Sequence, residues 1–232
     1  MKKIILSTAI LFYSLFSFSQ LEGDKVFIRA NIGVGLGFNS ILVDAAGQNN
    51  WNNSLATFTI SPGTHLSPEL AVGVNVYDNL NAEVGFAYLL QFVYSNVNGY
   101  VTSASFSRMS TCVAAKYAIE LKEDKFALTP GIGVLVLPAS KMKFQEGDFS
   151  QEINYGSGVG FMASFEAQIR LGKKVMINPG IRYRVESYTA KSTSFETVSD
   201  LNPGLQLVRA NGIQIIFGVI VPIVRHNRFG RY

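Results

Sequence analysis

From Val159 to Leu171 the chain alternates strictly. Val159, Phe161, Ala163, Phe165, Ala167, Ile169 and Leu171 fall on one parity, and Gly160, Met162, Ser164, Glu166, Gln168 and Arg170 on the other. Successive side chains of a strand point to opposite faces, so this segment has one wholly apolar face and one face that carries opposite charges. A soluble sheet hides its apolar face in a core and leaves its charges in water. A chain built from many such strands must instead be asked which solvent each face meets.

Eight segments pass the same test, with apolar residues on the outward parity and the charges inward. Lys25 to Phe38 sets Ile28, Ile32, Val34 and Leu36 against Arg29 and Asn31. A second segment ends at Tyr77 with Glu69 inward, its upstream extent left open by Pro62 and Pro68. The third sets Val84 and Phe86 against Glu83, and the fourth sets Met109 and Val113 against Arg108 and Lys116. In the fourth, Phe106 breaks the phase, which predicts a bulge or the loop end. The fifth begins at Phe126, and the sixth is the segment above. The seventh places Arg182, Arg184 and Glu186 inward, and the eighth places Gln214 and Gly218 inward.

Connections alternate in length. The turns near Asp78, Lys122 and Lys173 are short, whereas 39–54, 95–103, 139–157 and 187–205 are longer and mostly polar. That is the pattern of short periplasmic turns and long external loops. Glycines Gly33, Gly85, Gly131 and Gly180 recur at intervals of about 50 residues on the inward parity, as four successive hairpins would place them.

The N-terminus says which solvent is involved. Lys2 and Lys3 precede an apolar run from Ile4 to Phe18, with Ser17 and Ser19 before a cleavage point, so residues 1–19 read as a signal peptide. The run is shorter than the ~20 residues of a spanning helix. No cysteine follows the cut, which argues against a lipid anchor. Cys112 is the single cysteine and allows no intramolecular disulfide. A net charge of +4, partly carried by the leader and by Arg225, Arg228 and Arg231, gives no case for nucleic acid.

An open sheet in lipid would leave unpaired backbone at two edges, so a membrane sheet must close. The expected fold is therefore all-β: a closed antiparallel eight-stranded up-and-down transmembrane β-barrel over 20–223, with 224–232 as a periplasmic tail. Eight strands leave little lumen. Arg29, Glu83, Arg108, Lys116, Glu166, Arg170, Arg182, Arg184 and Glu186 are expected to form a polar network inside it, a plug and not a pore. Tyr77, Tyr117, Phe126, Phe38, Tyr94, Tyr183 and Tyr188 lie near strand ends and suit aromatic belts.

The leader, the eight amphipathic strands, the short turns and the Pro-Gly-Ile openings at Pro130 and Pro179 resemble the small outer-membrane barrels of the OmpA-like and OmpX-like superfamily. The chain is similar in particular to barrel domains of Bacteroidota, many of them labelled PorT-like. The resemblance implies residence in the cell outer membrane. The PorT-like label implies an accessory role in type IX secretion or envelope assembly. Two departures stand out: no C-terminal peptidoglycan-binding domain, and a tail where a terminal aromatic strand end is usual.

Chemistry is sparse. His65, Ser67 and Glu69 share a parity, and His-x-Ser resembles the pair of barrel lipid A deacylases, which makes a lipid A-modifying enzyme one alternative. His226 reads as a solvated tail residue. The run Gly33 to Gly37 lacks the helix and lysine of a phosphate loop, and the loop acids Asp44, Glu146 and Asp148 read as solvated. No cofactor, metal or catalytic site is expected. The leading expectation is a non-enzymatic, monomeric barrel surrounded by outer-membrane lipid and lipopolysaccharide. Its external loops meet envelope or secretion proteins, with Trp51 as a candidate contact.

Overall fold

A computed structural model describes residues 26–44, 57–77, 79–97, 100–122, 125–146, 149–171, 175–194 and 197–223. The leader, the tail with His226, and Trp51 lie outside the described residues. The principal strands are β1 (Val26–Gly37), β2 (His65–Tyr77), β3 (Leu80–Val97), β4 (Tyr100–Tyr117), β5 (Phe126–Leu137), β6 (Gly158–Leu171), β7 (Val175–Ile177 and Gly180–Val185) and β8 (Gly212–Pro222). Each pairs antiparallel with the next, and β8 pairs back onto β1. The pairings therefore run in a closed circuit, and backbone groups find partners without help from solvent.

Proline punctuates this circuit without opening it. Pro68 lies inside β2, and pairing with β3 skips from Leu66↔Leu90 to Glu69↔Ala87, because the imide has no N–H to give. At the break in β7, Asn178 and Gly218 exchange backbone hydrogen bonds and Pro179 O accepts from Ala167 N, so the wall continues through Asn178-Pro179.

The outward faces are apolar and exposed. Ile32, Leu36, Phe86, Met109, Ile132, Phe161, Phe165, Ile215 and Phe217 stand on the outer wall. A surface this apolar, continuous around the sheet, is made for hydrocarbon and not for water. Inward positions are tightly filled, so glycine is needed where large side chains cross. A Cβ at Gly131 would lie 2.5 Å from Lys116 Cγ, and one at Gly180 would lie 2.7 Å from Glu166 Cγ.

The long-connection end differs from the sequence reading. Residues 95–97 and 100–103 belong to an extended β3–β4 pair in unbroken register from Leu80↔Tyr117 to Val97↔Tyr100. Within the stretch 139–157, Ser140–Glu146 pairs antiparallel with Phe149–Tyr155, and the first arm of this pair also pairs with the top of β4. Strand Ser187–Thr193 adds to its second arm, and Leu207–Arg209 adds to that. The wall thus rises above β5 and β6 as a platform. Phe106 does not bulge: it keeps the inward parity of Arg108 and is 1% exposed.

Phe106 looked out of phase because the interior changes solvent above Arg108. Met142, Phe144, Ile153, Tyr155, Tyr188, Leu201, Leu205 and Val208 join Phe106 in one apolar core. Ile41 and Ile60, from the small hairpin Ile41–Asp44 with Thr57–Ile60, close it from the other side. Tyr188 accordingly lies inside this core and not in an aromatic belt, whereas Tyr77, Tyr117, Phe38 and Tyr183 are exposed.

Candidate functional site: the sealed ionic lumen

Strand parity delivers the inward charges to two levels of the lumen. At the lower level, Glu166 on β6 accepts from Lys116 Nζ at 2.8 Å, Arg29 Nη1 at 2.7 Å, Arg182 Nε at 3.0 Å and Asn178 Nδ2 at 3.0 Å. Glu83 lies 2.6 Å from Arg29 Nη2 and 3.1 Å from Lys116 Nζ. Glu69 receives Arg29, Asn31 and Arg182. Arg29, Lys116 and Arg182 thus face Glu69, Glu83 and Glu166, and the level is electrically neutral. Neutrality and dense hydrogen bonding are what allow six charges to be buried together.

The upper level is built from β4, β7 and the connection before β2. Arg184 Nε donates to Glu186 Oε1 at 2.7 Å, and its Nη2 donates to Ser110 Oγ at 2.7 Å. The Tyr188 hydroxyl donates to Glu186 Oε2 at 3.0 Å, and Arg108 Nε lies 3.9 Å from the same oxygen. Two guanidinium groups face one carboxylate here. The surplus positive charge is met by Pro62 O, which accepts from Arg108 Nη1, and by the Phe106 and Tyr188 rings, 4.6 and 5.8 Å from Arg108 Cζ.

Beside the lower level lies a small cavity lined by Arg29, Glu69, Glu83, Gly85, Cys112, Ala114, Met162 and Arg182. The lumen is closed beyond both ends of this stack. The apolar core covers the upper level, and Phe27 and Ile220 are buried inward near the turn end. The charged side chains of both levels are at most 5% exposed.

Of the residues marked in the sequence, Arg29, Glu83, Lys116, Glu166 and Arg182 meet at the lower level and Arg108, Arg184 and Glu186 at the upper. Arg170 does not join them. It keeps the inward parity but lies exposed at the turn end of β6, where its backbone N–H donates to Lys125 O. Glu69 is the member the sequence reading left out of the network, although its parity already pointed inward.

The pair His65 and Ser67 does not assemble as a hydrolytic couple. On a strand, alternate residues are spaced by roughly 6.8 Å, beyond hydrogen-bond reach of one another's short side chains. His65 Nδ1 lies 2.8 Å from Gly63 O and 3.4 Å from Arg108 Nη2. Ser67 Oγ donates to Gly33 O at 3.4 Å and accepts from Gln214, and Glu69 is occupied by arginines. All three are buried away from the lipid face.

No protein-family model matches the chain, and no curated protein matches it. Solved structures do. Neisserial surface protein A aligns over 86% of this chain and 99% of its own at 12% identity, with a TM-score of 0.52. A major outer membrane protein from Thermus thermophilus aligns over 87% of this chain and 100% of its own at 11% identity, with a TM-score of 0.56. At such identities the likeness is one of fold. The architecture is that of a small outer-membrane β-barrel.

Proposed function

We propose that the protein is a non-conducting, non-enzymatic barrel of the outer membrane, which anchors and displays the β-platform built by its long connections. The observation that carries this reading is the sealed lumen: two buried ionic levels closed off by an apolar core. A channel needs a wetted path, and a surface enzyme needs a nucleophile within reach of its base and its substrate. Here the charges of the lower level are paired, and His65, Ser67 and Glu69 are engaged elsewhere.

The platform supplies the second half of the reading. Its interior is apolar and packed and its outer face mostly polar, and it presents a surface for contact with neighbouring molecules. We assign the long-connection end to the cell exterior and the short turns to the periplasm. The substitution Ser199→Cys, in the connection 197–206, tests both points on intact expressing cells. Labelling by a membrane-impermeant maleimide at position 199, with Cys112 unlabelled, is the expected result. Labelling of Cys112 in the folded protein would mean a wetted lumen, and protection of position 199 would reverse the orientation.

A further inference from the structure

On β4, and on β7 with its continuation, the solvent logic inverts on both faces of the strand at one height. On β4 the inward series passes from Lys116 and Arg108 to Phe106 and Ala104, and the outward series passes from Val113 and Met109 to Ser107, Ser105 and Ser103. The two changes fall within one rung of each other. On β7 and its continuation, inward Arg184 and Glu186 give way to Tyr188 and Ala190, while outward Tyr183 and Val185 give way to Ser187 and Thr189. On β4 and on the neighbouring β5 and β6 this places the end of the apolar belt at the level of Met109, Val136 and Val159, whereas on β3 the outward face stays apolar through Leu90 and Phe92, which pair with Ser107 and Ser105.

Lysines stand immediately above that level on the outer face. Lys141 pairs across from Ser107, the first outward position beyond Met109, and Lys143 pairs across from Ser105. Lys191 is exposed, and its stem lies across Gly156, two residues before the start of β6, where any Cβ would meet Lys191 Cε. One acid shares the patch. Glu152 lies 2.6 Å from Lys141 Nζ and 2.9 Å from Lys143 Nζ. Hydrogen bonds from Lys141, then Lys143, hold its carboxyl below the usual carboxylate range. It fixes the two ammonium groups side by side while leaving their side chains 46% and 53% exposed.

We infer that Lys141, Lys143 and Lys191 form a binding site for the phosphate-bearing headgroups of lipid in the leaflet at the long-connection end. Three cations with one acid carry a net positive charge at the depth where headgroups must sit. The patch is continuous with the apolar belt that holds the acyl chains of the same lipids. An ammonium at this position neutralises a lipid phosphate at short range. The inference rests on the outer-membrane reading above, and its test is separable, because insertion and lipid selectivity are measured independently.

The experiment uses the full chain folded into nanodiscs of phosphatidylcholine mixed with phosphatidylglycerol, lipid A or dephosphorylated lipid A. Folding is verified by heat-dependent mobility on gels, and the lipid retained after gentle detergent extraction is quantified by mass spectrometry. The wild type should retain phosphate-bearing lipid over phosphatidylcholine and over dephosphorylated lipid A. Comparing the phosphatidylglycerol and lipid A arms tells which phosphate source is preferred. Substituting glutamine at all three lysines should cut that preference about tenfold or more, and arginine at all three should keep it. Lys191→Gln alone should cost about fivefold, and Glu152→Gln should raise retention by freeing two ammonium groups. Equal retention by wild type and triple variant, a lower value for Glu152→Gln, or complete displacement by millimolar inorganic phosphate would overturn the inference. If the triple variant does not insert, Lys191→Gln and Glu152→Gln decide the question.

Discussion

Arg108 places its guanidinium carbon 4.6 Å from the centroid of the Phe106 ring, and these two neighbours on one inward face mark the height at which the lumen passes from ionic to apolar. Below them, charge is buried against charge. Above them, Phe106 packs on Tyr155 and Tyr188 at ring-centroid distances of 5.6 and 5.5 Å. A membrane protein with a polar inside and a soluble β-platform with an apolar inside are thus stacked on the same strands.

Removing the aromatic at this junction should weaken the platform. Phe106→Ala opens a cavity among fully buried neighbours and should cost about 3 to 5 kcal/mol in urea unfolding from lipid vesicles. Because the lower ionic level and the outer belt are untouched, the variant should still insert.

Glu166 is the most heavily engaged carboxylate of the lower level, with four donors upon it. Glu166→Gln should insert yet be destabilised by about 3 to 5 kcal/mol, because three cations would then face only Glu69 and Glu83. Joining it with Lys116→Met removes one cation as well and should recover part of that loss, a coupling visible in a double-mutant cycle.

Its neighbour in sequence should behave oppositely. Phe165 faces outward from the same strand, and Phe165→Arg should cost about 2 to 4 kcal/mol, the penalty of a cation facing lipid near mid-bilayer. The expected result is failure of insertion, read as loss of the heat-dependent gel shift.

The sealed lumen predicts silence in planar bilayers. Purified protein should add no discrete conductance above leak, and it should release no fatty acid from lipid A in either wild-type or His65→Ala form. Stepwise openings, or hydrolysis that His65→Ala abolishes, would reinstate the channel or the deacylase.

The membrane part of the fold was legible because its rule is simple. With one solvent outside and a narrow lumen inside, every strand obeys the same parity, and Glu83, Lys116 and Arg182 could be assigned inward from spacing alone. Above the membrane that rule reverses, so Phe106 read as a break in phase when it marks a change of medium. The alternations Met142-x-Phe144 and Ile153-x-Tyr155 were present in the sequence, but they are short, flanked by polar residues, and stabilised by contacts with residues distant in the chain, among them β4, Tyr188, Leu201 and Leu205. Which acid would pair with which base was not encoded in any local pattern. Arg29 reaches Glu166 across 137 residues of chain, a meeting that only closure of the sheet creates.

Spin-label accessibility along β4 tests the account most directly. Single nitroxide labels at positions 103 to 117 of a Cys112→Ser protein, reconstituted in lipid, should show two patterns. Odd positions from 109 to 117 should relax with membrane-dissolved oxygen, those from 103 to 107 with an aqueous nickel chelate, and the even positions with neither. The exchange should fall between Met109 and Ser107. Aqueous accessibility at Val113, or oxygen accessibility that runs on unchanged through Ser103, would contradict it.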